Sequence, residues 1–235
     1  MQIEEELRAL KAQLAQQRTT IEDLTDQLGL LQDKAEIERL QYAYGFFIDN
    51  RMFREMADLF AEEGAWIEIG GRGRYCGKER IHRFLHEVIG EGRWGLARDE
   101  VINHVQQQFL ITVDPDRGHA RARGRAEVQG NSPPGTPHFL LADGIYENEY
   151  VREGGRWKIL GITVTMTFYA ALERDRVWFP SAPPSAEMPP DAPSQPVVEA
   201  LGRQFNAFHF GHPVLGYPLA VPASDLAGSD GPAGA

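Results

Sequence analysis

The sequence predicts an α+β fold in which helices cover one face of a curved sheet. Helical spacing of apolar residues dominates residues 3–90, and four long strand patterns follow between residues 101 and 170. The turn signals DPDRG, NSPPGTP and REGGR separate those strands, as expected for antiparallel neighbours joined by short loops. Helices first and antiparallel strands after them are typical of the α+β class.

Residues 3–35 carry a heptad repeat, which predicts a coiled-coil-type helix as a separate N-terminal region over residues 1–33. Its two seam positions are occupied by Ile3, Leu7, Leu10, Leu14, Gln17, Ile21, Leu24, Leu28, Leu31 and Ala35. A continuous helix over this segment would be about 50 Å long. So long and narrow an apolar stripe favours an oligomerisation helix, and the alternative is an amphipathic helix folded onto its own domain. Gly29 interrupts the run and predicts a break before the next domain.

Residues 34–175 form the predicted α+β domain. Its expected elements are helices at 34–49, 52–61 and 78–90, short strands at 64–70 and 73–76, and long strands at 101–113, 119–129, 138–152 and 156–170.

The composition changes after this domain. Residues 176–220 form a C-terminal extension that begins Pro-rich, and such a segment disfavours regular structure. Helical spacing returns at 197–208. The aromatic residues of this extension must be buried, so we expect it to wrap its own domain or a neighbouring subunit and to cover the pocket. Residues 221–235 are small and polar, which predicts disorder.

Charge and cysteine content exclude several classes of function. The net charge of −10 argues against a nucleic-acid surface, and Arg121, Arg123 and Arg125 alternate along a strand as expected for a solvated or interface face. One cysteine, Cys76, allows neither an intrachain disulfide nor a multi-cysteine metal site. No signal peptide and no long apolar run is visible, so we expect a cytoplasmic protein that does not bind membranes.

Four features of residues 35–77 occur in a characteristic order. Tyr44 is followed five residues later by Asp49, Leu59-Phe60 closes the second helix, and Gly77 opens the third. This order resembles the SnoaL-like proteins of the nuclear transport factor 2 superfamily, which also includes ketosteroid isomerase and scytalone dehydratase-like proteins. The resemblance covers the predicted α+β domain. It implies a cone-shaped curved antiparallel sheet wrapped by helices around a pocket, in which several members perform acid–base chemistry without a cofactor.

The resemblance implies that His104 faces the pocket as the catalytic base. Histidine suits this role because its pKa lies near neutrality and its two ring nitrogens can accept and donate. Asp49 would accept a hydrogen bond from His104, although an aspartate here could instead cap the second helix. Either Tyr44 or Tyr42 could donate to an oxyanion, and either could be packing. Strand alternation places Gln108 on the His104 face, which could line a pocket or an oligomer interface.

Further residues are expected to contact the substrate. The predicted binding set is Tyr42, Trp66, Gln108, Tyr146, Asn148 and Phe168. Family members often have an acidic residue where this chain has Asn148, and an asparagine where it has Gln108. His82 and His86 have the spacing of two metal ligands on a helix, but no third ligand has a readable spacing, so we expect neither metal nor cofactor.

These features together predict a cofactor-independent lyase, dehydratase or isomerase. Its substrate would be a hydrophobic, aromatic or polycyclic small molecule, and lignin-derived aromatics, polyketides and steroid-like compounds are all compatible. The chain would assemble as a homo-oligomer through its N-terminal helix and C-terminal extension. The alternative is a non-catalytic small-molecule-binding or assembly module of the same fold.

Overall fold

One long helix and one six-stranded sheet form the framework of the computed structural model, which describes residues 2–131, 137–173 and 211–220, and the backbone of 198–200 and 203–205. The helices are α1 (Gln2–Asp49), α2 (Phe53–Ala57) and α3 (Lys78–Arg83), with a 3₁₀ turn at Gly70–Arg72 and a π-helix at Phe84–Ile89. The strands are β1 (Trp66–Ile69), β2 (Arg74–Cys76), β3 (Ile102–Val113), β4 (His119–Gly130), β5 (His138–Glu153), β6 (Arg156–Glu173), β7 (Val198–Ala200) and β8 (Arg203–Phe205).

Helix α1 is continuous over 48 residues, so the expected break at Gly29 is wrong. A Cβ atom at Gly29 would lie 2.3 Å from Nη1 of Arg117. The glycine therefore leaves room for the arginine to cross the helix and does not end it. The predicted boundary between residues 33 and 34 falls inside this helix.

The two halves of α1 have different surroundings. Residues 2–28 are all exposed, whereas after Gly29 the helix buries one face, with Ile37, Tyr44 and Phe47 in the core. The heptad half therefore does not fold onto the described part of its own domain. The second half packs against the sheet.

Asp33 anchors this second half to two hairpins of the sheet. Its carboxylate accepts hydrogen bonds from Arg117 Nε at 2.5 Å, Arg152 Nη2 at 2.6 Å and Trp157 Nε1 at 3.0 Å. Burial alone would raise the pKa of this carboxyl, but the bonds from Arg117 and Trp157 and the charges of both arginines hold the pKa below its usual value.

The sheet has the strand order β2-β1-β6-β5-β4-β3 and does not close into a barrel. Its neighbours are antiparallel except β1 and β6, which pair in parallel from Trp66 opposite Gly161 to Ile69 opposite Val164. The sheet therefore departs from the expected antiparallel arrangement at this pair. The reason is the connection: β1 and β6 are far apart in the chain and are not joined by a hairpin.

The register shifts at three places in the described strands, one of them beside Leu160 in β6, and the other two change which side chains face the cavity. In β3 the register shifts between Gln107 and Leu110, and Gln108 has a φ of 55°. In β6 the register shifts beside Thr167, between Met166 and Phe168. A bulge adds residues to one strand, bends the sheet and reverses the alternation beyond it.

The helical segments near α3 differ from the expected single helix over 78–90. Only Lys78–Arg83 is α-helical, and Phe84–Ile89 continues as a π-helix. The second helix is also shorter than expected, at Phe53–Ala57. No helix among the described residues is long and apolar enough to cross a membrane.

The C-terminal extension is described in part. The helix expected over 197–208 is wrong, since β7 and β8 form an antiparallel pair there, and their apolar residues also fit a spacing of two. Residues 211–220 pack against the α+β domain, where Val214 joins the core and His212 is 1 % exposed. The Pro-rich stretch and residues 221–235 lie outside the described residues.

Candidate active site

A cavity of about 290 Å³ lies between the sheet and the helices. Its lining is largely apolar and comes from α1, α2, the 3₁₀ turn, the π-helix and strands β1 and β3 to β6. The lining residues are Tyr44, Ile48, Phe53, Ile69, Arg72, Val88, Ile89, Ile102, His104, Val128, Gln129, Gly130, Leu140, Tyr146, Val164, Met166 and Tyr169. Three predicted site residues, His104, Tyr44 and Tyr146, are among them.

His104 and Asp49 are in direct contact at the wall of this cavity. Nδ1 of His104 lies 2.9 Å from Oδ1 of Asp49, and the backbone N–H of His104 donates to the same oxygen at 2.7 Å. The two side chains are 13 % and 16 % exposed, and only His104 lines the cavity. The carboxylate therefore holds the imidazole from behind, and Nε2 is the ring nitrogen left for a ligand.

Asp49 does not cap the second helix. The N-cap position of α2 is Met52, which has no side-chain capping bond. Asp49 is the last residue of α1, where the helix dipole disfavours a carboxylate. Its contact with His104 gives the carboxylate two donors at this unfavourable position.

Tyr44 and Tyr146 form one buried side of the cavity. Their rings meet edge to face with centroids 6.1 Å apart. Burial raises the pKa of Tyr44 well above its usual value and that of Tyr146 to about 12. The Tyr44 hydroxyl makes no hydrogen bond of good geometry with any described residue. It therefore has a donor to offer to a ligand.

Asn148 belongs to an interior polar network and is not among the residues that line this cavity, so its contact with substrate stays a prediction. Its Nδ2 donates to Gln41 Oε1 at 2.8 Å, and the Tyr150 hydroxyl donates to the same oxygen at 2.9 Å. Gln41 Nε2 in turn donates to Gln106 Oε1 at 2.9 Å. The network ties α1 to β3 and β5.

Gln108 and Phe168 are also not among the lining residues, because each lies at a register shift, and their contacts with substrate stay predictions. Gln108 is exposed, and the ring of Phe109 takes the inner side over Gly124. Phe168 is 48 % exposed, and Tyr169 lines the cavity instead. Simple alternation along each strand could not have shown this.

Tyr42 and Trp66 likewise lie away from the cavity. Tyr42 is 41 % exposed, and its hydroxyl donates to Glu38 at 2.9 Å. Trp66 covers Gly161, and the guanidinium of Arg74 stacks 3.9 Å above its ring. The spacing of Tyr42 from Asp49 and the apolar ring of Trp66 suggested that both line the pocket. Tyr42 lies on the outer face of α1, and Trp66 lies on the outer face of the sheet.

Several lining residues were missed from the sequence. Arg72 stands at the rim in the Gly-Gly-Arg-Gly turn, and it also borders an adjoining groove with Thr163 and Thr165. Val88 and Ile89 enter the cavity from the π-helix. The glycine-rich turn in the sequence could have indicated Arg72. No sequence pattern indicated the π-helix that carries Val88 and Ile89.

The two histidines with metal-ligand spacing do not belong to this cavity. His82 and His86 stack on each other with ring centroids 5.9 Å apart. Within the described parts of the chain, no three His, Cys, Asp or Glu side chains are grouped so that they could hold a metal ion.

The fold and site define a class of cone-shaped domains in which a histidine lines an apolar cavity and is hydrogen-bonded to an aspartate behind it. The chain belongs to the SnoaL-like domain family, whose model matches residues 29–163, more than half of the 235 residues. It is 26 % identical over 145 residues to hexachlorocyclohexane dehydrochlorinase 1 of Sphingobium indicum, which covers 62 % of this chain and 88 % of that enzyme.

Solved structures show the same fold at lower identity. A type 2 hexachlorocyclohexane dehydrochlorinase has a TM-score of 0.57 and 21 % identity, and covers 66 % of this chain and 99 % of its own. A Novosphingobium aromaticivorans protein provisionally named a scytalone dehydratase has a TM-score of 0.52 and 20 % identity, with coverage of 62 % and 91 %.

Proposed function

We propose that this chain is a cofactor-independent lyase in which His104 removes a proton from carbon in a hydrophobic small molecule. The observation that carries the proposal is the 2.9 Å contact between His104 Nδ1 and Asp49 Oδ1 at the wall of an apolar cavity. A base held by a second group is the usual arrangement for proton abstraction. Dehydratase and isomerase reactions begin with the same step.

The hydrogen bonds support a definite division of roles. Asp49 accepts from Nδ1–H, which fixes the tautomer in which Nε2 carries the lone pair. Nε2 takes the proton, and the electron pair of the broken C–H bond forms a double bond. In a lyase this expels a leaving group from the next carbon; in an isomerase the proton returns at another position. Asp49 stabilises the imidazolium in both cases.

The tyrosines at the floor are suited to hydrogen-bond donation. Their raised pKa values keep both Tyr44 and Tyr146 protonated at neutral pH. A buried O–H directed at developing negative charge stabilises a transition state without reorganisation. We assign Tyr44 to the departing oxygen or halogen or to an enolate oxygen, because its hydroxyl has no well-aligned partner in the protein.

Arg72 would set the charge preference of the site. Arg72 is the only Lys or Arg among the described residues that line the cavity. It forms no ion pair with any residue that the structure describes. A cation at the rim favours substrates with an anionic or strongly electron-withdrawing group distant from the reacting carbon. Replacing Arg72 with Met should raise KM for such substrates about two- to fivefold. The matched change of Arg74, which pairs with Glu68 on the outer face, should leave KM unchanged.

The cavity supports a compact, hydrophobic substrate. Its volume of about 290 Å³ is close to the lower end of ligand pockets, about 300–1,000 Å³. That room suits a single ring or a small fused system, and an aromatic or alicyclic ring would contact Ile48, Val128 and Met166. Hexachlorocyclohexane, the substrate in the name of the Sphingobium relative, is a reasonable first probe.

Hydrogen–deuterium exchange tests the proposal without knowledge of the product. The full chain is incubated in ²H₂O with hexachlorocyclohexane, a β-hydroxy ketone and a cyclic enone of one or two rings, and deuterium gain and product are followed by mass spectrometry. We expect exchange or elimination with at least one probe, and none with His104→Ala. Exchange that His104→Ala leaves unchanged would overturn the proposal, as would binding of a probe without any exchange or elimination.

A non-catalytic binding module is the second candidate. It is favoured by Asn148, which stands where family members often carry a second acidic residue and which is engaged with Gln41. Such a module would bind one of the probes at the cavity, so that variants of Tyr44 or Tyr146 weaken binding. It would leave the carbon-bound protons of the probe in place.

A further inference from the structure

The N-terminal half of α1 presents a continuous apolar face without a partner in the described chain. Eight of its seam side chains are 50–80 % exposed: Ile3, Leu7, Leu10, Leu14, Ile21, Leu24, Leu28 and Leu31. They recur at alternating spacings of three and four, which is the pattern of a coiled-coil seam and not of a face packed on a sheet. A patch of this extent on a soluble protein marks an interaction surface.

The seam does not stop where α1 reaches the domain. Continued at the same spacing it passes through Ala35, Glu38 and Tyr42, and the exposed ring of Phe46 flanks it. At about 100° per residue, Ala35 lies roughly opposite Asp33 and Ile37, the side that packs on the sheet. A second helix could therefore follow the seam onto the domain without displacing any of its contacts.

We propose that this seam binds the same seam of a second copy of the chain, parallel and in register. Two features of the helix sequence select this occupant. Gln17 is the one polar residue within the exposed seam, and in a parallel pair its amide meets an identical amide that can satisfy it. In an antiparallel pair it would face a leucine or isoleucine.

The flanking charges agree with the parallel arrangement. Glu6 and Lys11 occupy the g position and the following e position, which face each other across two parallel chains in register. The parallel arrangement also brings Tyr42 and Phe46 beside their counterparts. Both domains then lie at one end of the coiled coil, on its outer sides.

Sedimentation of the full chain tests the association. Leu14→Glu with Leu24→Glu should reduce the association constant at least about 100-fold, because each seam leucine lost is worth about tenfold or more. Ala12→Glu with Thr19→Glu adds the same charge on the exposed outer face and should change nothing. We expect unchanged thermal unfolding of the α+β domain at low concentration. A wild-type monomer, or equal masses for both variants, would overturn the proposal. If the wild type is a monomer and the seam variant has a lower melting temperature, the seam is covered by another part of the same chain.

Disulfide cross-linking tests the orientation. In a Cys76→Ser background, Leu7→Cys should give a disulfide-linked pair on mild oxidation, because parallel chains in register place the two sulfurs together. Ala12→Cys, on the outer face, should remain uncoupled. An associated Leu7→Cys protein that fails to cross-link would contradict the parallel register.

Discussion

At the scale of single residues, Asp49 and Tyr44 have different roles in the candidate site. Asp49 does not line the cavity and is hydrogen-bonded to His104. Tyr44 does line the cavity, and its hydroxyl has no well-aligned hydrogen-bond partner among the described residues. A buried polar group in this state is unfavourable for stability. A ligand in the cavity would complete it.

Replacing Tyr44 with Phe should separate function from stability. We expect turnover or ligand affinity to fall about tenfold or more, while the free energy of unfolding stays level or rises by up to about 1 kcal/mol, since an unsatisfied hydroxyl is removed. Tyr150→Phe is the matched control. Its hydroxyl donates to Gln41, so that change should lower stability by about 1 kcal/mol and leave turnover per folded molecule intact. The reverse pattern in the two variants would refute this role for Tyr44.

At the scale of secondary-structure elements, the site depends on how firmly the second half of α1 is attached to the sheet. Asp33 joins the helix to the β3–β4 and β5–β6 ends of the sheet through Arg117, Arg152 and Trp157. Because both charges and hydrogen bonds meet on one buried carboxylate, its removal leaves several groups unpaired.

Asp33→Asn should lower the free energy of unfolding by about 3 kcal/mol in denaturant titrations. Asp26→Asn, one heptad earlier on the exposed part of the same helix face, should change it by less than about 0.5 kcal/mol. The depressed pKa of Asp33 means that its contribution is present above about pH 4 and is lost as pH falls through the folded pKa. Equal stabilities for the two variants at neutral pH would disprove the anchoring role.

The segment 211–220 adds a pH-dependent contact to the same region. His212 accepts at Nδ1 from the backbone N–H groups of Val214 and Leu215, so its Nε2–H donates to the Glu55 carbonyl at 2.8 Å. Burial lowers the pKa of His212, and the hydrogen bond to the Glu55 carbonyl and the charge of Asp58 oppose this without reversing it.

A lowered histidine pKa means that the unfolded chain takes up a proton before the folded chain does. Stability should therefore fall as pH drops below about 6.5, until the folded pKa is reached. The buried Glu55 carboxyl has a raised pKa and acts in the opposite direction. His212→Gln should flatten the melting temperature between pH 7.5 and 5.5, while exposed His119→Gln should keep the wild-type slope. A slope unaffected by His212→Gln would exclude this contact as its source.

The features that could be predicted from the sequence have local signals, whereas those that could not depend on contacts between distant parts of the chain. Strands β3 to β6 were predicted closely because alternation and turn residues are local signals, and the family order of Tyr44 and Asp49 indicated the cone. The positions of Gln108 and Phe168 could not be predicted, because a bulge depends on the packing of the neighbouring strand. The contact between His104 and Asp49 joins residues 55 apart in the chain and came only from the resemblance.

At the scale of the whole molecule, the chain combines a family domain with a long projecting helix. The domain supplies the cavity and the His104–Asp49 pair, and the heptad half of α1 supplies the surface that we assign to a second copy. Because Tyr42 and Phe46 lie on that surface and the cavity lies on the opposite side of α1, assembly and proton abstraction use different faces of one helix.

The most direct test of the account is a double-mutant cycle on the proposed base and its carboxylate. With the probe that exchanges deuterium fastest, the rate is measured for the wild type, His104→Ala, Asp49→Asn and the double variant, each checked by circular dichroism. We expect His104→Ala to reduce the rate about 10²–10⁴-fold, Asp49→Asn to cause part of that loss, and the double variant to be no slower than His104→Ala, since both changes disable one unit. Full activity in a folded His104→Ala protein would contradict the account, as would strictly multiplicative losses.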